Sequence, residues 1–349
     1  MNRKILFQFI FLLSLVSQVN GQIGLNKARH AGSYLEIPVG IRAAGLGTAF
    51  VAVADDGSAF HWNPAGAALT KGKLISTEYS SLYGTLSDPL STFIHTGFQM
   101  EFDKLGAVSL NWVRLSVDDI PFLLEVGNDP DTRKTGSALS LNNRSYFTNS
   151  QDAFYLTFSR NFTQVIDFGW QFFKVPYQIP VGVNVKYLRQ SFGAPVNATS
   201  TGLGVDAGIM IITDVNDYSS KKIWGVLSFG LTVNDLTNTI ITWQNNTQFS
   251  IPRSLIWGTA YKQPLTFINS EFLLSYQSSV RYETEKAIGV EYTYDHTYSI
   301  RAGSRNSELT FGAGLFLFEG LSIDYAFETH DLGNPHRVGV SFNLESLKW

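Results

Sequence analysis

The sequence predicts an all-β fold: a transmembrane antiparallel β-barrel of about 14 strands. Three observations carry that reading. From Lys73 onward, apolar and polar residues alternate with a period of two. Charged residues make up only 16% of the chain while aromatic residues make up 14%. After the first 20 residues, no segment approaches the 18 consecutive apolar residues of a membrane helix.

The chain has 349 residues and a net charge of −3, and length alone would suggest two or three soluble domains. Soluble proteins carry about 25% charged residues, so much of this surface is expected not to face water. The near-neutral balance argues against a nucleic-acid partner, which selects basic stripes. There are no cysteines, which excludes disulfides, thiolate nucleophiles and cysteine zinc sites. Residues 1–21 read as a cleaved export signal. Arg3 and Lys4 form its basic end, Ile5–Val16 its apolar run, and Val19-Asn20-Gly21 its cleavage site. The apolar run is too short to cross about 30 Å of hydrocarbon.

The strands follow in order from the dyads, near 73–82, 91–102, 105–117, 152–162, 179–192, 201–213, 223–236, 253–262, 271–281, 285–294, 297–305, 308–317, 320–328 and 336–344. In three of them Phe154, Leu156 and Phe158 alternate with Tyr155, Thr157 and Ser159; Ile288, Val290 and Tyr292 with Ala287, Gly289 and Glu291; and Ile323, Tyr325 and Phe327 with Asp324, Ala326 and Glu328. Ile223, Leu227, Phe229, Leu231 and Val233 make an apolar row of the length a tilted membrane strand needs. An even strand number suits a bacterial outer-membrane barrel. With the first strand running outward, tight links such as Asp103-Lys104 and Asp295-His296 fall on the inner side. The long links at 118–151 and 237–252 fall on the outer side. The link at 163–178 departs from this asymmetry. The acidic residues of 118–131 (Asp118, Asp119, Glu125, Asp129 and Asp131) raise a calcium site, although their spacing favours a solvated loop. Asn238–Ser250 reads as exposed polar loop.

Residues 40–70 break the alternation, with nine alanines and five glycines among 31 residues. Such small side chains permit close backbone approach. Ser58–Trp62 reads as a short helix, and Asn63 followed by Pro64 as the cap and first turn of another through Leu69. The run includes Arg42-Ala43-Ala44-Gly45-Leu46-Gly47, Ala49-Phe50-Val51-Ala52-Val53-Ala54-Asp55-Asp56 and Trp62-Asn63-Pro64-Ala65-Gly66. These about 25 residues resemble the start of the PorV/PorQ family, which is related to FadL-type outer-membrane barrels. The resemblance implies a 14-stranded barrel whose N-terminal hatch is folded into the bore. It divides the chain into signal 1–21, hatch 22–70 and barrel 71–349, and implies a Gram-negative outer membrane. It marks Asp55, Asp56, Trp62, Asn63, Pro64 and Ala65 as the hatch motif. Thr48 departs from it, because many relatives carry glycine there.

No catalytic pattern emerges. Gly45-Leu46-Gly47 lacks the last glycine of a dinucleotide loop, Lys71-Gly72-Lys73 is not a phosphate loop, and HExxH and GxSxG are absent. The histidines, including His330 and His336 beside Asp331, are spaced as solvated residues rather than metal ligands. The expectation is a non-enzyme without metal or cofactor. Two functions stay open. One, implied by the resemblance, is a partner of the type IX secretion translocon and its exported cargo proteins. The other is FadL-like passage of a hydrophobic small molecule, which needs an apolar pocket with a few polar anchors. Outer-membrane lipid is a partner in either case. Dyad phase places His95, Glu101, Asn111, Asn184, Lys186, Asp206, Glu291, Arg301, Asp324 and Glu328 on the lumen side, where polar residues are ordinary lining.

Overall fold

A computed structural model describes residues 31–85, 87–102, 106–122, 145–167, 169, 174–218, 223–317 and 320–346. Within it a single antiparallel sheet of 16 strands closes on itself. The strands are β1 (Lys73–Thr85), β2 (Asp88–Phe102), β3 (Gly106–Phe122), β4 (Ser145–Asp167), β5 (Lys174–Phe192), β6 (Ala198–Asp214), β7 (Val226–Asn234), β8 (Ile240–Trp243), β9 (Gln248–Ser250), β10 (Ser254–Leu265), β11 (Ser270–Val280), β12 (Thr284–Tyr294), β13 (Tyr298–Arg305), β14 (Glu308–Leu317), β15 (Leu321–Glu328) and β16 (His336–Asn343). Fourteen of them form the barrel wall. β8 and β9 are a short hairpin on its rim. The seam joins the two ends of the chain, with Leu74 opposite Asn343 and Ser81 opposite His336.

The alternation is inverted relative to a soluble sandwich. On β4 the apolar set faces out, with Leu156 38% and Phe158 53% exposed. The polar set between them is buried, with Thr157 at 0% and Ser159 at 8%. β12 and β15 do the same: Ile288, Ile323 and Tyr325 are exposed, whereas Glu291, Ala326 and Glu328 are buried. Apolar side chains on the outside of a closed sheet make sense only if the outside is hydrocarbon, and closure leaves no unpaired edge there. The inner face is not uniformly polar. Leu82, Phe93, Val113, Tyr155 and Leu188 point inward from β1 to β5 and pack on Tyr34, Leu35, Val39 and Phe60. The bore is therefore apolar on one side.

Three sequence expectations need correction. The link expected at 163–178 is short, because β4 and β5 pair out to Asp167 opposite Lys174. The inner-side asymmetry holds there after all. The adjacent apolar pair Val165-Ile166 and Pro176 within β5 break the period-two pattern there and concealed the strand ends. Asn238–Ser250 is not simply exposed loop, since β8 extends the wall beyond β7 by pairing with β6. Ile241 and Ile251, hidden among Asn, Gln and Thr, are buried against the apolar cluster and anchor it. Asp118 and Asp119 belong to β3, where a bulge between Val117 and Ile120 puts Asp119 at φ 54°. Glu125, Asp129 and Asp131, like the export signal, lie outside the described residues.

On β4 the outward row runs from Asp152 through Phe154, Leu156 and Phe158 to Arg160. Leu156 is thus midway along the apolar belt. Leu156→Arg is expected to destabilise the barrel by about 2–4 kcal/mol, whereas Arg160→Leu at the belt's edge is expected to change stability by about 1 kcal/mol or less. Urea unfolding in phosphatidylcholine vesicles measures both. Equal costs would mean that the belt is misplaced.

Candidate functional site: the plugged bore

The N-terminal segment is short of regular structure. It holds one-turn helices at Ile41–Gly45 and Ala59–Trp62 and a 3₁₀ segment at Pro64–Leu69. Its side chains are nearly all buried, Ala43, Leu46, Phe50, Val51, Ala54 and Ala59 among them. Irregular backbone away from water must find partners for its N–H and C=O groups. Short turn bonds within the plug supply some, such as Ala54 N–H to Phe50 C=O and Asn63 N–H to Ala59 C=O, and inward polar residues of the wall supply others. Gln277 Oε1 accepts from the Phe50 and Val51 amides at 3.2 and 2.9 Å. Asn184 Nδ2 donates to the Phe60 carbonyl at 2.7 Å and Gln99 Nε2 to that of Ala67 at 3.0 Å. The hydroxyls of Ser228 and Thr310 donate to the Ala52 and Gly45 carbonyls.

Three cross-strand glycine pairs receive the plug where its backbone touches the wall. Gly182 and Gly208 face each other beneath Asn63-Pro64-Ala65; Gly258 and Gly230 beneath Val51; Gly289 and Gly303 beneath Leu46. A Cβ at any of the six would lie under 3.0 Å from a plug atom. Above the first pair, the Asn63 side chain accepts from the Ala65 amide at 3.1 Å and donates to the Val51 and Ile209 carbonyls. It therefore ties the turn to itself, to the plug and to β6. Trp62 Nε1 donates to the Val39 carbonyl at 2.7 Å. Thr48, the departure from the family pattern, has φ 71°, a conformation that suits glycine.

Charge locks the plug at its centre. Arg42 donates through Nε and Nη2 to both oxygens of Glu291 at 2.9 and 2.8 Å, and through Nη1 to Asp55 at 2.5 Å. Arg301 donates to the same Glu291 at 2.6 Å and to Asp324 at 2.5 Å. Burial works against the Asp55 carboxylate, but Arg42 and Lys262 outweigh it and hold its pKa below the ordinary value. In neighbouring Asp56 burial wins and raises the pKa, although Ser58 donates to it through both N–H and O–H. A second network joins Lys186 to Asp206 and Asp235 at 2.7 and 2.8 Å, and Arg281 to Asp235 at 2.9 Å. A third joins Arg305 to Glu328 at 2.7 Å.

The lumen-side candidates thus fall into groups. Glu291, Arg301 and Asp324 come together on Arg42, and Asn184, Lys186 and Asp206 meet beneath Phe60. His95 bonds Asn111 at 3.2 Å and lies against the Phe60 ring. Glu328 stands apart near the upper rim. Glu101 is exposed at the end of the barrel where β1 begins, accepting from the Gly72 amide at 3.2 Å. His330 approaches Glu308, while His336 faces outward to Tyr325, so the two do not share a site. Among the described residues no group of three metal-binding side chains forms. Sequence reading missed Glu78, Gln99, Gln277 and Arg337, which share the inward dyad phase, and Asp235 and Arg281, which lie just past the ends of β7 and β11. It also missed the glycine pairs, whose only signal is a small residue at an inward strand position.

The plug divides the bore. At the end of the barrel away from Lys73 and Asn343 lie cavities of about 360 and 240 Å³ that share Glu36, Glu285 and Arg305. Towards Lys73 and Asn343 lie cavities of about 450 and 50 Å³ that share Arg42, Asp56 and Asp324. Between the two sets runs the strap Pro38-Val39-Gly40. The Pro38 carbonyl accepts from Arg337 at 3.1 Å, and the Gly40 amide donates to Glu78 at 2.6 Å.

Comparison with known proteins agrees with this architecture. The model of an uncharacterised protein family, UPF0164, matches residues 13–88, which include the plug and β1. No curated protein matches. The crystal structure of the Pseudomonas putida toluene transporter TodX is similar, with a TM-score of 0.50 at 11% identity, over 87% of this chain and 96% of TodX. A deltaS2 mutant of the TodX monoaromatic hydrocarbon channel gives 0.51 at 11% identity, over 87% and 98%. A Pseudomonas aeruginosa FadL homologue gives 0.49 at 10%, over 88% and 99%. At these identities the likeness is one of fold: a closed barrel of the outer-membrane type.

Gly208→Val is expected to expel the Asn63 turn and raise single-channel conductance in planar bilayers; parent-like conductance would show that the socket yields without cost. Glu291→Gln should cost about 3–5 kcal/mol in unfolding, since it strips Arg42 and Arg301 of a shared carboxylate. The lock also sets a pH dependence. The folded-state pKa of Asp55 lies below its unfolded value of about 4, so its contribution is complete above that value and is lost as pH falls through the folded one. The Asp55 contribution to holding the plug should therefore weaken only below about pH 4, with conductance in planar bilayers rising there.

Proposed function

We propose that this chain is a closed outer-membrane barrel that serves protein export, docking an exported protein or a type IX translocon component at its outer mouth. The observation that carries this reading is the locked plug. Arg42 bonds to Glu291 and Asp55, and the Asn63 turn is seated on a glycine pair. A barrel that holds its plug through buried ion pairs and close backbone contact works as a platform rather than a pipe. The charges in the cavity linings support it: Glu36, Arg305, Glu328 and Arg337 line the cavity at one end, and Arg42, Asp55, Arg301 and Asp324 stand beside Leu74, Phe316 and Leu321 at the other, a mixture that suits a purely apolar solute poorly. The resemblance of residues 42–66 to PorV/PorQ proteins supports the partner class.

The apolar cluster favours a second reading, passage of a hydrophobic small molecule. If residues 31–39 swung away, Leu82, Phe93 and Tyr155 would line an apolar track. The toluene transporter TodX has this fold and carries such a cargo by name. Mild-detergent purification from the native membrane after chemical cross-linking separates the two. Docking predicts secreted proteins or translocon subunits bound in near-stoichiometric amounts. A barrel that purifies alone, yet speeds the entry of toluene into reconstituted vesicles, would replace docking with transport.

A further inference from the structure

The outer wall carries a charged row where hydrocarbon contact would be expected. Arg114 of β3 stands opposite Asp152 of β4, and Asp152 opposite Arg189 of β5, so the three side chains lie level across adjacent strands. All three share the outward phase of Phe154 and Leu156. Arg114 donates to both Asp152 oxygens at 2.8 and 3.1 Å, and Trp112 Nε1 donates to one of them at 2.9 Å. The Arg114 guanidinium also lies 5.2 Å from the Trp112 ring centre. Asp152 is thereby covered, its side chain 5% exposed, while Arg114 remains 43% exposed. Arg189 is exposed and forms no ion pair or side-chain hydrogen bond among the described residues. The row therefore presents one uncompensated positive charge and two guanidinium faces.

Its height matters. Directly below come the exposed rings of Phe154 and Tyr187, 6.3 Å apart, and then the rest of the apolar belt down to Arg160. The row lies at the belt edge farther from Lys73 and Asn343, where β1 begins and β16 ends. The longer loops emerge at that end, which places it at the outer leaflet. Arginines at a belt edge reach for headgroups, and a guanidinium matches a phosphate through paired hydrogen bonds.

We propose that Arg114 and Arg189 clamp a phosphate of an outer-leaflet glycolipid headgroup, whose acyl chains lie along Phe154, Tyr187 and Leu156. The inference rests on the membrane location and is independent of docking or transport. The lipid, not free phosphate, is the occupant, because the charge sits on an apolar shelf that fits acyl chains. Asp152 holds Arg114 upright and leaves Arg189 to supply the net attraction.

The test uses the full-length barrel in phosphatidylcholine nanodiscs doped with bis-phosphorylated lipid A, with retained lipid measured by native mass spectrometry. The parent should retain lipid A on the order of tenfold better than Arg189→Gln or the double variant R114Q/R189Q. Arg160→Gln, at the opposite rim, should match the parent. Lipid A stripped of its phosphates should not be retained. Arg189→Gln breaks no bond within the barrel, so heat-modifiable migration will show it folded even if the double variant is not. Equal retention by parent and Arg189→Gln would overturn the proposal. So would equal retention of the dephosphorylated lipid, or displacement of lipid A by millimolar inorganic phosphate.

Discussion

An irregular chain inside a closed barrel cannot leave its peptide groups without partners, and that requirement organises the rest of the structure. Within the plug many peptide groups bond to one another in short turns. Amides and carbonyls left over are met by Gln99, Asn184, Ser228, Gln277 and Thr310 of the wall. The inward half of each dyad is thus a set of specific partners, not generic polar lining. The small residues of the plug and the glycines of the wall answer the same need, since these bonds form only when two backbones come close.

The ion pairs add specificity to that fit. A buried carboxylate is costly unless it is shared, and Glu291 is shared by an arginine of the plug and one of the wall. Removing any member leaves another uncompensated. The charges therefore favour one seating of the plug over nearby alternatives in a bore whose other side is apolar and less directional.

The architecture was legible because the period-two alternation is imposed by the sheet itself, and a barrel repeats it on every strand. Strand ends were less so. Asp167 and Lys174 pair in a stretch where Val165-Ile166 and Pro176 break the alternation. The β8–β9 hairpin was hidden because Ile241 is the one buried residue within it, set among Asn, Gln and Thr. The placement of Asn184 with Lys186 and Asp206, or of Glu291 with Arg301, follows from strand register, which dyads do not reveal beyond phase. Arg42 could not be matched to Glu291 at all, because 249 residues separate them and the plug's path is not periodic. The glycine pairs escaped for a related reason: a glycine on a strand ordinarily reads as weakness, and here it is a seat for another chain segment.

The seam between β1 and β16 has a consequence for how such a molecule is made. The plug immediately precedes β1, while the glycine seats lie on strands from β5 to β13. Among the wall strands, the one latest in the sequence, β16, completes the ring by pairing with β1. A finished ring offers no wide entrance for a folded segment held by contacts around its whole circumference. The plug is best placed while the sheet is still an open sheet curling around it. On that view it acts as a mandrel: its girth helps to set the curvature at which the first and last strands meet, and biogenesis is the moment when its position is decided.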